Sequence, residues 1–316
     1  MGSTLGAEDP AVRCYKFQAI PEFFRYSEGL TQPHDVTTQP GLGLVKKVYE
    51  TDASFDPNHE KQDWERFEHY LKYLNATARD GISYKLIYAA RHGEGYHNVK
   101  EAEVGTPAWE SHWAKLDGDG KTVWFDATLT PKGRQQAQAM KAFWEESAVA
   151  LKLPLAKRHY SSPMQRCLDT CQTAFTGLTL ADGTEVPPFK PTIRELIRER
   201  LGVHTCDKRH PRSWIQEYFP IFETIEEDLP EEDTLWVPDV RETLEQHAVR
   251  VHAFLSDLFT NDNETIISVT SHSGTIQALN RATGHPAVHV APGAIVPLLI
   301  KGELTDDIPP RISVSL

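Results

Sequence analysis

Helices layered on both faces of a mostly parallel β-sheet, an α/β fold of three αβα layers, are what this chain predicts. Two observations carry that reading. The first is an alternation of elements. An apolar strand (Leu86 to Ala90) is followed by a helix start at Thr130-Pro131, then a short strand (Lys157 to Ser162), then a second helix opening at Pro163. Strand, crossover helix and strand in series is the signature of parallel strands with right-handed connections. The second is that two apolar strands stop in the same way, one at Arg91-His92-Gly93 and the other at Ser271-His272-Ser273-Gly274. In open α/β sheets the carboxyl ends of strands border the ligand crevice, so two such endings suggest one shared site.

In chain order, residues 1 to 80 carry several breakers, among them Pro21, Pro33, Pro40-Gly41 and Asp56-Pro57, and read as an ordered extension packed on the main domain. Trp64, Phe67, Leu71 and Leu74 recur at helical spacing, which predicts an amphipathic helix from Asp63 to Leu74 that docks the extension. Residues 81–316 are then the main domain, with insertions near 99–126 and 202–238. The first insertion holds Trp109, Trp113 and Trp124 around Asp117-Gly118-Asp119-Gly120. Calcium-loop offsets are not met there, so a turn is expected. An insertion directly after an anion-binding strand end is placed to become a substrate wall, unless its tryptophans only pack it down.

Thr130 caps the next helix with Pro131 at its first position, and the helix runs through Met140 and Trp144. Further on, Phe189 to Leu201 contains a strand and the charged cluster Arg194 to Arg200. The acidic run Glu223, Glu226, Glu227, Asp228, Glu231, Glu232 and Asp233 reads as a solvated loop. Val240 to Phe259 is an amphipathic helix leading into the buried strand Thr265 to Thr270. A helix from Thr275 to Ala282 and a last strand from Gly293 to Ile300 complete the chain.

Composition narrows the function classes. A formal charge of −12 argues against a nucleic-acid surface, which needs clustered Lys and Arg. No apolar run approaches the roughly 20 residues of a membrane span, and the amino terminus lacks a basic start and apolar core, so a cytoplasmic protein is expected. The cysteines Cys14, Cys167, Cys171 and Cys206 match neither a disulfide framework nor a paired zinc site, and reduced thiols follow. No heptads or exposed apolar helix call for an oligomeric partner.

Arg91, His92, His272 and Arg166, the last at a helix start after the third strand, together make a cationic pocket whose simplest guest is a phosphoryl group. His204, Cys206, Asp207 and His210 lack the spacing of a tetrahedral metal set. Lys208, Arg209 and Arg212 are candidates for a second anionic group on the substrate.

Through Arg91-His92-Gly93, Arg166 and Ser271-His272 the chain resembles the histidine phosphatase, or phosphoglycerate mutase-like, superfamily. The stretch Arg91 to Asn98, with Gly202 to Arg209, resembles its fungal phosphomutase-like proteins. The resemblance implies a phosphoglycerate mutase-like fold, no metal or other cofactor, and His92 as a nucleophile forming phosphohistidine. It implies that Arg91, Arg166 and His272 neutralise the phosphoryl oxygens, with Asn98 as a further donor. It also implies a carboxylate acid between Arg166 and His272, with Glu199 preferred to Glu195. The expected activity is hydrolysis of a small-molecule phosphate monoester. A phosphomutase and a fold repurposed for binding or for another substrate are the alternatives.

Overall fold

The computed structural model describes residues 14–27, 35–222, 224–225 and 229–306. Its strands are β1 (Cys14–Ala19), β2 (Ile82–Arg91), β3 (Arg158–Ser161), β4 (Pro191–Ile193), β5 (Thr224–Ile225), β6 (Ile266–Ser271) and β7 (Ile295–Thr305). They form one sheet in the order β1-β7-β2-β6-β3-β4-β5. From β2 through β6, β3 and β4 to β5 all neighbours run parallel, whereas β7 pairs antiparallel with both β2 and β1. Every residue of β6 is buried, including Ser268, Thr270 and Ser271, as befits a strand covered on both faces. The opening stretch does more than lie on the core, since β1 forms the edge of the sheet.

The helices are α1 (Asp52–Phe55), α2 (Asp63–Thr77), α3 (Tyr96–Val104), α4 (Thr106–Ser111), α5 (Pro131–Ala150), α6 (Gln165–Phe175), α7 (Arg212–Tyr218), α8 (Leu244–Asn261) and α9 (Ser273–Thr283). Register assigns them to layers. Tyr88, Ser268 and His159 lie opposite one another on β2, β6 and β3, so they share a face. On that face Tyr88 meets Trp64 of α2 and Trp144 of α5, and His159 meets Phe175 of α6. One residue along β3, Tyr160 points to the opposite face and meets Phe254 of α8. None of the described helices is long and apolar enough to cross a membrane.

Local chemistry sets most boundaries. In α2 the stripe Trp64, Phe67 and Leu71 is buried, and Glu65 accepts from the Gln62 N–H at the helix start. Thr130 accepts from the Gly133 N–H, as its capping position predicts. Helix α8 begins at Leu244 and not near Val240, because Thr243 and Gln246 form a reciprocal cap there, and Val240 stays exposed. The expected turn at 117–121 is held by Asp119, which accepts from the Lys121 and Thr122 N–H groups. Ahead of it the first insertion is helical, as α3 and α4. Trp109 and Trp124 pack with Ala114, Ala127 and Cys206 into a small second core. Of the acidic run, Glu223 and Glu226 to Asp228 lie outside the described residues. Asp233 is not solvated: it is buried against Arg198 at 2.6 Å, because a guanidinium with no exposure needs a counter-charge.

The loop after β2 passes so close to α5 that no side chain fits between them. A Cβ on Gly133 would lie 2.1 Å from the Glu94 carbonyl oxygen, and one on Gly93 would lie 2.3 Å from the Gly133 carbonyl oxygen. Glu94 also accepts from Thr130 and Lys132, which binds this loop to the start of α5. We therefore expect Gly133→Ala to cost about 1–3 kcal/mol, since backbone must move to admit the methyl. Urea melts of the two proteins check this, and an unchanged midpoint contradicts it.

Candidate active site

Parallel pairing of β2 with β6 sets Arg91 opposite Ser271. The residues that follow, His92 and His272, therefore leave the sheet side by side, with ring centroids 5.2 Å apart. The His92 N–H donates to the Ser271 carbonyl at 3.0 Å, so the two strand ends are joined up to the site itself. Next to β6, β3 ends at Ser161 and leads into α6, which places Arg166 beneath both imidazoles.

Hydrogen bonding fixes the tautomer of each ring. His92 Nδ1 is 2.7 Å from the Gly93 carbonyl, which only accepts, so the proton sits on Nδ1 and Nε2 keeps its lone pair. Arg166 Nε donates weakly to that lone pair at 3.3 Å. Arg166 Nη2 donates to His272 Nδ1 at 3.1 Å, so His272 Nε2 carries its proton and donates to Ser162 Oγ at 2.8 Å. Burial, reinforced by Arg166 and Arg91, holds His92 well below the ordinary histidine pKa. His272 is depressed in the same direction by burial and Arg166.

A cavity of about 160 Å³ opens over these groups, lined by Arg91, His92, His97, Asn98, Arg166 and Glu199 together with His204, Asp207 and Arg241. Arg91 gives one N–H to the Val290 carbonyl, while its buried Nε has no partner among the described residues. The Arg241 Nε is likewise buried and unpartnered among them. Unpaired buried donors of this kind are stabilised by an anion. Asp207 lies between Arg166 at 2.9 Å and Arg241 at 3.0 Å, so one carboxylate orients both guanidinium groups.

The two candidate glutamates part company. Only a short 3-10 turn, Glu195–Ile197, separates them, so they do not share a helical face. Glu195 turns inward and binds Arg198 at 3.0 Å and Arg209 at 2.5 Å. Glu199 reaches the cavity, where its oxygens accept from the Arg200 N–H at 2.9 Å and the Gly274 N–H at 3.0 Å. Gly274 must be glycine for this contact, because a Cβ there would lie 1.9 Å from Glu199 Oε1. Arg250 of α8 donates to the Glu199 carbonyl at 3.0 Å and secures the segment from behind.

The other expectations divide. Asn98 lines the cavity and also accepts from the Gly95 N–H at 3.0 Å, closing the first turn of α3. His272 stands behind Arg166, off the cavity lining. Lys208 and Arg209 do not line the cavity either. Lys208 Nζ lies 4.9 Å from the Trp236 ring centre, and Arg209 is buried on Glu195 and the carbonyls of Pro230 and Glu232. A buried guanidinium takes the nearest acceptors available, and here those are internal.

His204, Cys206 and Asp207 bring one possible ligand atom each within 4.8 Å of one another. Arg166 and Arg241 already occupy Asp207, and Arg241 donates to His204 Nδ1, so these lone pairs are engaged by guanidinium groups that a metal cation would have to displace. Residues not foreseen from sequence are His97, whose ring centre is 5.5 Å from that of His92, and Arg241. His97 sits one residue before Asn98 on the same helical turn, a usable signal. Arg241 enters from beyond the second insertion, and no local pattern marks it.

A buried imidazole with one unprotonated nitrogen among oriented guanidinium groups, at the carboxyl edge of a parallel sheet, makes a site suited to an anion. The chain belongs to the histidine phosphatase superfamily. The model of its branch 1 matches residues 110–292, a span that starts after His92. A protein of Arthroderma benhamiae named a probable phosphoglycerate mutase is 37% identical over 94% of this chain and 88% of its own length. A Saccharomyces cerevisiae protein with the same description is 35% identical over 90% of this chain and 95% of its own. Among solved structures, a phosphoglycerate mutase from Thermus thermophilus aligns with a TM-score of 0.35 at 21% identity, covering 67% of this chain and 91% of that one.

His92, His97 and His272 are all held well below the ordinary histidine value of 6.5, with burial as the first cause of each shift. The unfolded chain takes up protons at these positions as pH falls through 6.5, and the folded chain does not. Their stabilising contribution is therefore complete above that pH and is lost below it, by about 1.4 kcal/mol per histidine per pH unit. Urea unfolding at pH 7, 6 and 5 should show the midpoint falling steeply, and a flat profile would contradict neutral burial of these rings.

Proposed function

We propose that the protein hydrolyses phosphate monoesters in two steps through phospho-His92. The observation that carries this reading is the His92 ring itself, with Nδ1–H bonded to the Gly93 carbonyl and the Nε2 lone pair directed at Arg166 in an arginine-lined cavity. A nucleophilic imidazole must be unprotonated at the attacking nitrogen, and burial among cations keeps it so. Nε2 attacks phosphorus while the ester P–O bond breaks, and the leaving oxygen takes a proton from Glu199. Water then attacks phosphorus and gives a proton to Glu199. The P–N bond breaks and inorganic phosphate departs. Arg91 and Arg166 hold the phosphoryl oxygens, Asn98 adds a neutral donor, and His272 keeps Arg166 in position. Stabilising charge that is already oriented is the main protein contribution in phosphoryl transfer.

Phosphate release from p-nitrophenyl phosphate and from alkyl phosphates, measured for wild type and His92→Ala, tests the proposal. Loss of the nucleophile should lower kcat by about a thousandfold or more. Rapid alkaline quench of the wild type should trap a phosphoenzyme that is stable in base and labile in acid. If His92→Ala releases phosphate at the wild-type rate, the assignment fails. Phosphoryl transfer to a second hydroxyl in place of release would identify a mutase.

The two glutamates separate by leaving group. Glu199→Gln should slow alkyl phosphates by about 10²–10⁴-fold and affect p-nitrophenyl phosphate much less, because nitrophenolate departs without a proton. Glu195→Gln should instead cost about 3–5 kcal/mol of stability, since it leaves Arg198 and Arg209 partly uncompensated in the interior. Equal mild effects of both substitutions on turnover would overturn the choice of Glu199.

A further inference from the structure

The charges around the cavity mouth differ from those at its floor. The floor carries Arg91, Arg166 and Arg241, and the Nη groups of Arg241 are held by the carbonyls of Arg200 and Gly202, by Asp207 and by His204, which leaves only its buried Nε for the phosphoryl group. Along the mouth stand Glu101 and Glu110, with the Trp109 ring between them in sequence. Glu101 accepts from the Thr106 hydroxyl at 3.0 Å and has no ion-pair partner among the described residues. Glu110 accepts from His204 Nε2 at 3.0 Å. Because His204 Nδ1 accepts from Arg241, that imidazole is neutral and leaves the Glu110 charge uncompensated. The basic residues that could have served a second anion, Lys208 and Arg209, are engaged away from the cavity, on Trp236 and on Glu195.

From this arrangement we infer a substrate class: phosphate monoesters of small alcohols that carry hydroxyl or ammonium donors and no second anionic group. The inference rests on the phosphatase reading above. With the phosphoryl group over His92, the rest of the ester extends toward Glu101, Glu110 and Trp109. Two carboxylates there accept hydrogen bonds from hydroxyl or ammonium groups and repel a carboxylate or second phosphate, for which the mouth offers no cation among the described residues. The volume of about 160 Å³ lies below the usual range for ligand pockets and suits a compact ester. Glycerol phosphate and phosphoethanolamine fit this description, whereas 3-phosphoglycerate places a carboxylate where the mouth is already negative.

The test compares kcat/KM for glycerol 3-phosphate, phosphoethanolamine and 3-phosphoglycerate, each divided by the value for p-nitrophenyl phosphate, in wild type and in the Glu101→Gln/Glu110→Gln double variant. A defect in folding lowers all four esters together and leaves these ratios unchanged. Wild type should favour the two esters without a second anionic group by about tenfold or more over 3-phosphoglycerate. The double variant should close most of that gap, lowering phosphoethanolamine and raising 3-phosphoglycerate. Equal or greater wild-type activity on 3-phosphoglycerate, or ratios unchanged in the double variant, overturns the inference while phosphate release that depends on His92 leaves the phosphatase reading standing. Absence of such release from every ester overturns both.

Discussion

The register between β2 and β6 is the constraint on which the site depends. Parallel strands offset by one residue would turn one of the two histidines to the other face of the sheet. As paired, Arg91 faces Ser271 across the ladder, and the next residue of each strand is an imidazole at the carboxyl edge. Burial of all of β6 and of Lys85 to Ala90 on β2 holds that register, because slippage would displace every packed side chain along the pair. Glycines after the strand ends then let neighbours close in, the backbone of α5 at Gly93 and the Glu199 carboxylate at Gly274.

Around the paired imidazoles, polarity is organised by sharing. Arg166 is fully buried yet satisfied, since it donates to His92, His272, Asp207 and the Cys206 carbonyl. Asp207 in turn holds Arg241, and Arg241 sets the tautomer of His204. Such a network keeps donors aimed at one point before any ligand arrives, which is the physical content of preorganisation. Its members come from β2, α6, the segment after β4 and the stretch beyond the second insertion, so the complete fold is needed to assemble it.

The insertions give the cavity its outer character. Helices α3 and α4 present Glu101, Trp109 and Glu110 at the mouth, while their other side packs with Trp124 and Cys206 as a small core. The choice posed by the sequence, between a substrate wall and a packed-down insertion, was not exclusive: Trp109 is buried in that core and also lines the cavity.

Much of this was readable in one dimension, because periodicity, capping and strand endings are local. The α2 stripe, the Thr130 cap, the strand at Thr265 to Thr270 and the repeated ending at His92 and His272 all follow from neighbouring residues, and with Arg166 they imply an anion pocket. Tertiary structure decided what depends on partners far away in the chain. It placed β1 at the sheet edge, took Asp233 out of the solvent, and consumed Arg209 on Glu195. It also brought Glu199 to the cavity and added Arg241 and His97. A charged side chain written in sequence carries no record of whether its counter-charge will be water, a buried carboxylate or a ligand. That is settled only when burial makes an unpaired charge too costly and the nearest partner within reach takes it.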